Sequence, residues 1–178
     1  MKKILLVVAL STIFATGMAS AEDVSAVVSI DGTVSAPAEG WCAVMPEKTA
    51  ITLTGITDRL TAQGVSATNP EHLRIVITGD SNCQERIKGQ HVALNFVGKT
   101  VDSDNTVLAN TVADDSAAAG VGIGFFDSTN NPAEINSAGV IVPAAQYLDY
   151  GLELVKLNGQ TPVAGKVHGT LTIDVERL

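Results

Sequence analysis

The 178-residue sequence contains few of the residues on which catalytic and sugar-binding sites depend. Aromatic residues make up 4% of it, with one tryptophan, two tyrosines and four phenylalanines. Two of the three histidines, His72 and His91, fall opposite the apolar positions of their segments, where solvent is expected. No GxSxG elbow or CxxC pair is present. We therefore expect a protein that is not an enzyme and holds no metal or cofactor, although the sequence leaves open a Ser-His-Asp set assembled by the fold.

Positive charge is also scarce. Lysine and arginine number 11 against 19 aspartates and glutamates, so the formal net charge is −8. An acidic surface repels phosphate backbones. We expect no nucleic-acid partner and no small-molecule substrate. The single Trp41 would either stack on a sugar or pack locally beside Cys42, and the second role is the commoner one.

Residues 1–21 have the pattern of a secretory signal peptide. Lys2 and Lys3 form its basic end, "ILLVVAL" begins its apolar stretch, and Ala19-Ser20-Ala21 supplies the small residues before a cleavage site. The apolar run is shorter than the roughly 20 residues of a membrane span. The pattern predicts an exported chain, residues 22–178, of a length that suits one domain with its own core.

Two cysteines remain, Cys42 and Cys83. An even number of cysteines in an exported chain predicts a disulfide, because the compartment outside the inner membrane is oxidising. Closing a loop of roughly 40 residues would restrict the unfolded chain by about 4 kcal/mol. A metal site is the alternative, but there is no CxxC pair or adjacent histidine pair to support it.

Apolar residues alternate with polar ones in several segments separated by turn sequences such as "GDSN" and "DSTNNP". The apolar positions are Leu73, Ile75 and Ile77; Val92, Leu94 and Phe96; Val121, Ile123 and Phe125; Leu148, Tyr150, Leu152 and Leu154; and Leu171, Ile173 and Val175. No segment after residue 21 shows a convincing helical period. Short strands joined by turns predict a single all-β antiparallel sandwich or barrel.

Four motifs occur in an order that resembles a known family. They are an N-terminal "VSIDGTV", "GDSNC" at the second cysteine, "VGIGFFDSTNNP" and the closing "HGTLTIDVERL". In this order and spacing, the chain resembles the type 1 fimbrial subunits of the chaperone-usher class. The resemblance covers most of the chain after the signal.

The resemblance implies an immunoglobulin-like sandwich that lacks its last strand and is completed by a donated one. Residues 22–36 would be an N-terminal donor-strand extension, and residues 37–178 the pilin domain. The positions directed into a neighbour's groove would be Val24, Ala26, Val28, Ile30, Gly32 and Val34, with the glycine where the groove has no space for a side chain. The strand that borders the groove would present Leu171, Ile173 and Val175.

The resemblance also implies partners and a location. These are neighbouring pilin subunits, a periplasmic chaperone that fills the groove before assembly, and an outer-membrane usher. The Leu178 carboxylate would anchor the chaperone. The chain would be exported through the periplasm and end in an extracellular fimbrium that supports adhesion. One departure is Arg177, where the family often has an aromatic residue; either the strand frays there or the arginine turns outward.

Two alternatives remain at this stage. Residues 24–34 would pair within their own domain as an ordinary first strand, instead of with a neighbour. The chain would also fit a secreted carbohydrate-binding or adhesin-type β-sandwich, although the scarcity of aromatic residues disfavours it.

Overall fold

The computed structural model describes the backbone of residues 24–31 and all atoms of residues 40–101 and 105–178. The predicted signal, residues 1–21, lies outside the described residues. The strands are β1 (Val24–Asp31), β2 (Cys42–Pro46), β3 (Ala50–Gly55), β4 (Thr61–Ala62), β5 (Glu71–Gly79), β6 (Val92–Gly98), β7 (Val107–Leu108), β8 (Val121–Phe126), β9 (Val140–Ile141), β10 (Tyr147–Lys156) and β11 (Val167–Arg177). One α-helix, α1 (Ser81–Lys88), follows β5.

The strands form two sheets that pack face to face. The first sheet has the order β3-β1-β11-β6-β9, and the second has the order β2-β5-β10-β8-β7, with the short β4 beside β10. Most pairs are antiparallel, whereas β1 runs parallel to β11. The predicted all-β sandwich is therefore confirmed, and its architecture is consistent with an immunoglobulin-like domain.

The core consists of the apolar faces that the alternation predicted. Leu73, Ile75 and Ile77 are almost fully buried. Three aromatic rings meet at the centre: the centroid of Phe96 lies 5.1 Å from that of Phe125 and 4.8 Å from that of Tyr150. Burial raises the pKa of Tyr150 to about 12. These three of the seven aromatic residues thus stabilise the core, where they are not available to a ligand.

The glycines of β8 permit close packing and do not form a nucleotide loop. All six residues of β8 are buried. A Cβ on Gly124 would lie 2.6 Å from the Phe126 ring, and one on Gly122 would lie 3.3 Å from Leu157. A second, smaller cluster covers this sheet's outer side and contains Ala67, Val107, Phe126, Val155 and Leu157. Both faces of β8 are therefore apolar, unlike a half-exposed strand.

Helix α1 was not predicted from the sequence. Asp80 caps it, and its Oδ1 accepts a hydrogen bond of 2.9 Å from the Cys83 amide. Only Cys83 and Ile87 of the helix are buried. Eight residues make about two turns, too few to display a helical period, but the aspartate cap after a strand was a usable signal. No helix among the described residues is long and apolar enough to cross a membrane.

The predicted disulfide is present between Cys42 and Cys83, whose Cα atoms are 5.4 Å apart. It joins the first residue of β2 to the first turn of α1. Gly79, opposite Cys42 in the β2–β5 pair, has no space for a side chain. A Cβ there would collide with the Trp41 carbonyl oxygen and lie 2.7 Å from the Cys83 sulfur. The bond therefore depends on a glycine at this position.

Replacing Gly79 by alanine tests this dependence. Because the added methyl group meets backbone and the disulfide, we expect the free energy of unfolding to fall by about 1–3 kcal/mol. We also expect a larger fraction of free thiol after oxidative refolding. Urea denaturation and thiol titration measure the two effects. The control is Gly89→Ala, where the methyl group would lie 2.9 Å from the His91 ring, which can rotate, and in ordinary contact with the Glu85 carbonyl oxygen at 3.5 Å. Equal stability of the two variants would contradict the packing argument.

Candidate functional site

The position beside β11 is the candidate site, and in the single chain β1 occupies it. On one side β1 pairs antiparallel with β3, from Val24 opposite Gly55 to Ser29 opposite Ala50. On the other side it pairs parallel with β11, from Ala26 opposite Val167 to Asp31 opposite Thr172. The N-terminal segment thus joins two strands that do not pair with each other.

The register of β1 matches the apolar face of the sandwich. Ala26 and Val28 lie opposite Leu53 and Ile51 of β3, both of which are buried. On β11, the residues opposite Ala26, Val28 and Ile30 are Val167, Gly169 and Leu171, also buried. Paired residues of adjacent strands belong to the same face of a sheet. The predicted apolar positions of this segment are therefore in register with the core.

This arrangement differs from the open groove that the resemblance implied. Residues 24–31 pair within their own chain, as the first of the two alternatives held. The physical reason is the tether: a segment attached to its own domain meets the groove at a high effective concentration. Gly32 and Val34 lie outside the described residues. Ile173 and Val175 lie beyond Thr172, the last β11 residue paired with β1, and both pair with β6.

The opposite edge of β11 is closed by two residues of the segment after β7. The Asn110 side-chain oxygen accepts a hydrogen bond of 3.0 Å from the His168 amide, and its nitrogen donates to the carbonyls of Ala118 and Lys166. The Thr111 amide and hydroxyl both donate to the His168 carbonyl, at 2.8 and 3.0 Å. These bonds occupy the β6-side edge of β11 before Leu171, where β6 does not pair with it. Only the other edge of β11 is then left for a further strand.

The C-terminal end of β11 does not fray. The strand continues through Arg177, which pairs with Val92, and the guanidinium turns to donate a hydrogen bond of 2.7 Å to the Gly40 carbonyl. Of the two possibilities for this arginine, the outward turn is the observed one. Leu178, the predicted chaperone anchor, has an exposed side chain and donates its amide to the His91 carbonyl at 3.0 Å.

Other polar groups have structural roles. The Glu153 carboxylate accepts hydrogen bonds from the Thr61 hydroxyl at 2.6 Å and from the amides of Thr68 and Asn69 at 2.9 and 3.1 Å. Burial raises the pKa of Glu153, but these hydrogen bonds outweigh it and the net shift is downward. The Thr68 hydroxyl is a fourth donor, at 2.9 Å. A carboxylate kept ionised by four hydrogen bonds fastens a loop and is not set up as a general acid.

The described residues provide little for a metal or a sugar. In residues 40–101 and 105–178 no three metal-ligating side chains come together. His72 and His91 are exposed, as predicted. Trp41 is half-buried beside the disulfide, and Arg74 covers the ring of Tyr147, 4.8 Å from its centroid. No open aromatic platform is present in this part of the chain.

Comparison with known proteins identifies the family. The sequence model of the family described as "Fimbrial protein" matches residues 28–176, and the chain belongs to this family. It is a structural subunit of an extracellular fimbrium, it associates with other subunits, and it is not an enzyme. No curated protein matches the sequence.

A solved structure confirms the fold. The chain is similar to the P pilus rod subunit PapA, with a TM-score of 0.56, 15% sequence identity and coverage of 83% of this chain and 100% of that chain. At this identity the likeness concerns the architecture of the sandwich. The family match over residues 28–176 confirms the sequence-based identification of a fimbrial subunit, and the shared architecture agrees with it.

Replacing Asn110 tests how the closed edge of β11 is maintained. Asn110→Ala removes the acceptor of the His168 and Val112 amides and the donor to the Ala118 carbonyl, while the Lys166 carbonyl keeps its bond from the Ala118 amide. We therefore expect a loss of about 1–3 kcal/mol in unfolding free energy. Amide hydrogen exchange should also accelerate at the start of β11. The control, Thr111→Val, removes only the hydroxyl and should cost less than about 1 kcal/mol. Equal losses in the two variants would show that the Asn110 amide is not the main tie.

The pH dependence of stability tests the Asp80 carboxylate. Hydrogen bonds from the amides of Cys83 and Gly40 hold the pKa of Asp80 below its ordinary value of 3.8. A lowered pKa in the folded chain means that the contribution to stability is complete above pH 3.8 and disappears as the pH falls through the folded pKa. Asp80→Asn should therefore be less stable than the unaltered chain at neutral pH, with the difference shrinking in acid. A difference that is constant from pH 7 to pH 2 would refute this.

Proposed function

We propose that the chain polymerises by donor-strand exchange, in which residues 22–36 of one subunit enter the groove between β3 and β11 of the next. The observation that carries the proposal is the register of β1. Ala26 and Val28 lie opposite buried residues of both flanking strands. A segment with this alternation fits the groove whichever copy of the chain supplies it. The division into residues 1–21, 22–36 and 37–178 stays a prediction.

The groove requires a strand, but not its own strand. Without one, the facing edges of β3 and β11 would expose unpaired backbone groups, which are a template for any extended segment. Each backbone hydrogen bond contributes about 0.5–1.5 kcal/mol. Each fully buried valine or isoleucine adds about 1.5–3 kcal/mol. Several such contributions support a persistent junction between two subunits.

The pairing of β1 with β11 of its own chain can be replaced by pairing with the same segment of another copy. Parallel pairs are slightly less stable per residue than antiparallel ones, and β1 runs parallel to β11. Exchange of an identical segment between copies keeps the same kinds of contact. When every subunit donates its segment to the next and accepts one from the previous copy, the contact is head-to-tail and generates an open fibre.

Export and assembly complete the proposal. In the periplasm a chaperone would supply the strand in the groove until the usher at the outer membrane replaces it with a subunit's segment. The exposed Leu178 at the end of β11 supports a role as the chaperone's anchor, because the neighbouring His91 carbonyl holds the Leu178 amide in place. Gly32 would sit where the groove has no space for a side chain.

Two complementary variants test strand exchange directly. Variant one, Gly32→Leu, should have a defective donor segment and an accessible groove. Variant two carries a second copy of residues 24–36 after Leu178, so its groove is filled and its own N-terminal segment is free. We expect neither to form fibres alone and the mixture to form one-to-one dimers, seen by size-exclusion chromatography with light scattering.

A matched control fuses the same segment with Gly32→Leu in the added copy, which should fail to fill the groove. Normal fibres from variant one, or a mixture that stays monomeric, would contradict the exchange. Either result would favour a strand that never leaves its own domain.

A further inference from the structure

Gly40, just after the predicted extension, is held from two sides. Its amide donates a hydrogen bond of 2.8 Å to the Asp80 carboxylate, and its carbonyl accepts one of 2.7 Å from the Arg177 guanidinium. The residue is buried and has a φ of +90°, which glycine adopts without strain. Both polar groups of one peptide residue are thus bonded to charged side chains.

The first of these partners belongs to the second sheet. Asp80 directly follows β5, and its other carboxylate oxygen accepts a hydrogen bond from Cys83. The disulfide from Cys83 to Cys42 lies two residues after Gly40. Asp80 is therefore part of a rigid corner made by β5, α1 and the start of β2.

The second partner belongs to the first sheet. Arg177 is the last residue of β11 and pairs with Val92 of β6, and the next amide, of Leu178, donates to the His91 carbonyl. The backbone that carries the guanidinium is thus fixed. Gly40 connects the ends of the two sheets at the pole of the sandwich where β11 terminates.

The number of residues between Asp31 and Gly40 is compatible with Gly40 held at the end of β11. β11 covers about 17 Å from Thr172, opposite Asp31, to Arg177. The nine residue steps from Asp31 to Gly40 reach at most about 31 Å. Nine residue steps are therefore enough to bridge the described positions Asp31 and Gly40.

We propose that Asp80 and Arg177 form a clamp on Gly40 that fixes the base of the N-terminal segment, so that the segment exchanges between grooves while β2 and the disulfide corner stay in place. The inference rests on the proposed strand exchange, because only a segment that moves needs a fixed base. Arg177 is a positioning residue in this scheme, because its hydrogen bond holds the Gly40 carbonyl.

The hydrogen bond from the guanidinium to the Gly40 carbonyl accounts for an arginine at this position. Val175 and Arg177 share a register on β11, and Arg177 is exposed, yet its side chain reaches a backbone carbonyl 137 residues away in the sequence. An aromatic side chain offers no charged donor for that carbonyl. A lysine ammonium retains a charged donor group but not the planar geometry of the guanidinium.

The test measures hydrogen exchange at the Gly40 amide in the monomeric mature chain and the persistence length of fibres by electron microscopy. In Arg177→Ala we expect exchange at Gly40 to accelerate about three- to tenfold, from the loss of one charge-assisted hydrogen bond. Amides of β6 and β10 should be unchanged, and the fibres should bend more. Arg177→Lys should show smaller changes than Arg177→Ala in both the exchange rate at Gly40 and the bending of the fibres.

The matched control is Arg86→Ala. The Arg86 guanidinium lies 3.9 Å from where a Gly40 Cβ would be, but no hydrogen bond from it to Gly40 occurs in the described structure. This variant should leave both measurements unchanged. Unaltered exchange at Gly40 in Arg177→Ala would overturn the clamp, as would an equal acceleration at all amides. Absence of fibres from the unaltered chain would instead refute strand exchange. Hydrogen exchange at the Gly40 amide of the monomer would still show whether the clamp exists.

Discussion

Backbone hydrogen bonding along the edge of β11 that faces away from β6 is the interaction on which the rest of the sandwich depends. The other edge is closed by β6 and by Asn110 and Thr111. Without a strand between β3 and β11, the first sheet would be divided and buried residues such as Ile51 and Leu171 would border open edges. The strand position is therefore a structural requirement and, in a fimbrial subunit, also the natural place for a joint.

Main-chain pairing suits a joint between identical subunits because it does not depend on which copy supplies the strand. In the proposed joint, alternating small and apolar residues would supply the affinity, and register would supply the specificity. The tether favours the chain's own segment when a subunit is alone, whereas the proposed growth of a fibre uses the neighbour's segment. The parallel pairing of β1 with β11 shows that the groove accepts a strand from its own domain.

The surroundings of Gly40 contrast with this exchangeable strand. The disulfide, the Asp80 cap of α1 and the Arg177 hydrogen bond meet within a few residues. In the proposed exchange, a segment attached to such a corner is replaced in its groove by a neighbour's segment, while β2 and the disulfide corner keep their own hydrogen bonds. A joint between subunits then needs only the strand between β3 and β11 to be exchanged.

Much of the architecture follows from local pattern alone. Alternation identified the buried faces of β5, β6 and β11, because side chains of a strand alternate between core and solvent, and an even cysteine count in an exported chain identified the disulfide. Helix α1 was missed, since two turns with two buried residues carry no readable period.

Two matters were decided only by the three-dimensional arrangement. The partner and direction of β1 were not encoded locally, because backbone groups pair alike with any chain and in either orientation. The meeting of Arg177 with Gly40 depends on two sheets packing together, which brings residues from opposite ends of the chain to one point.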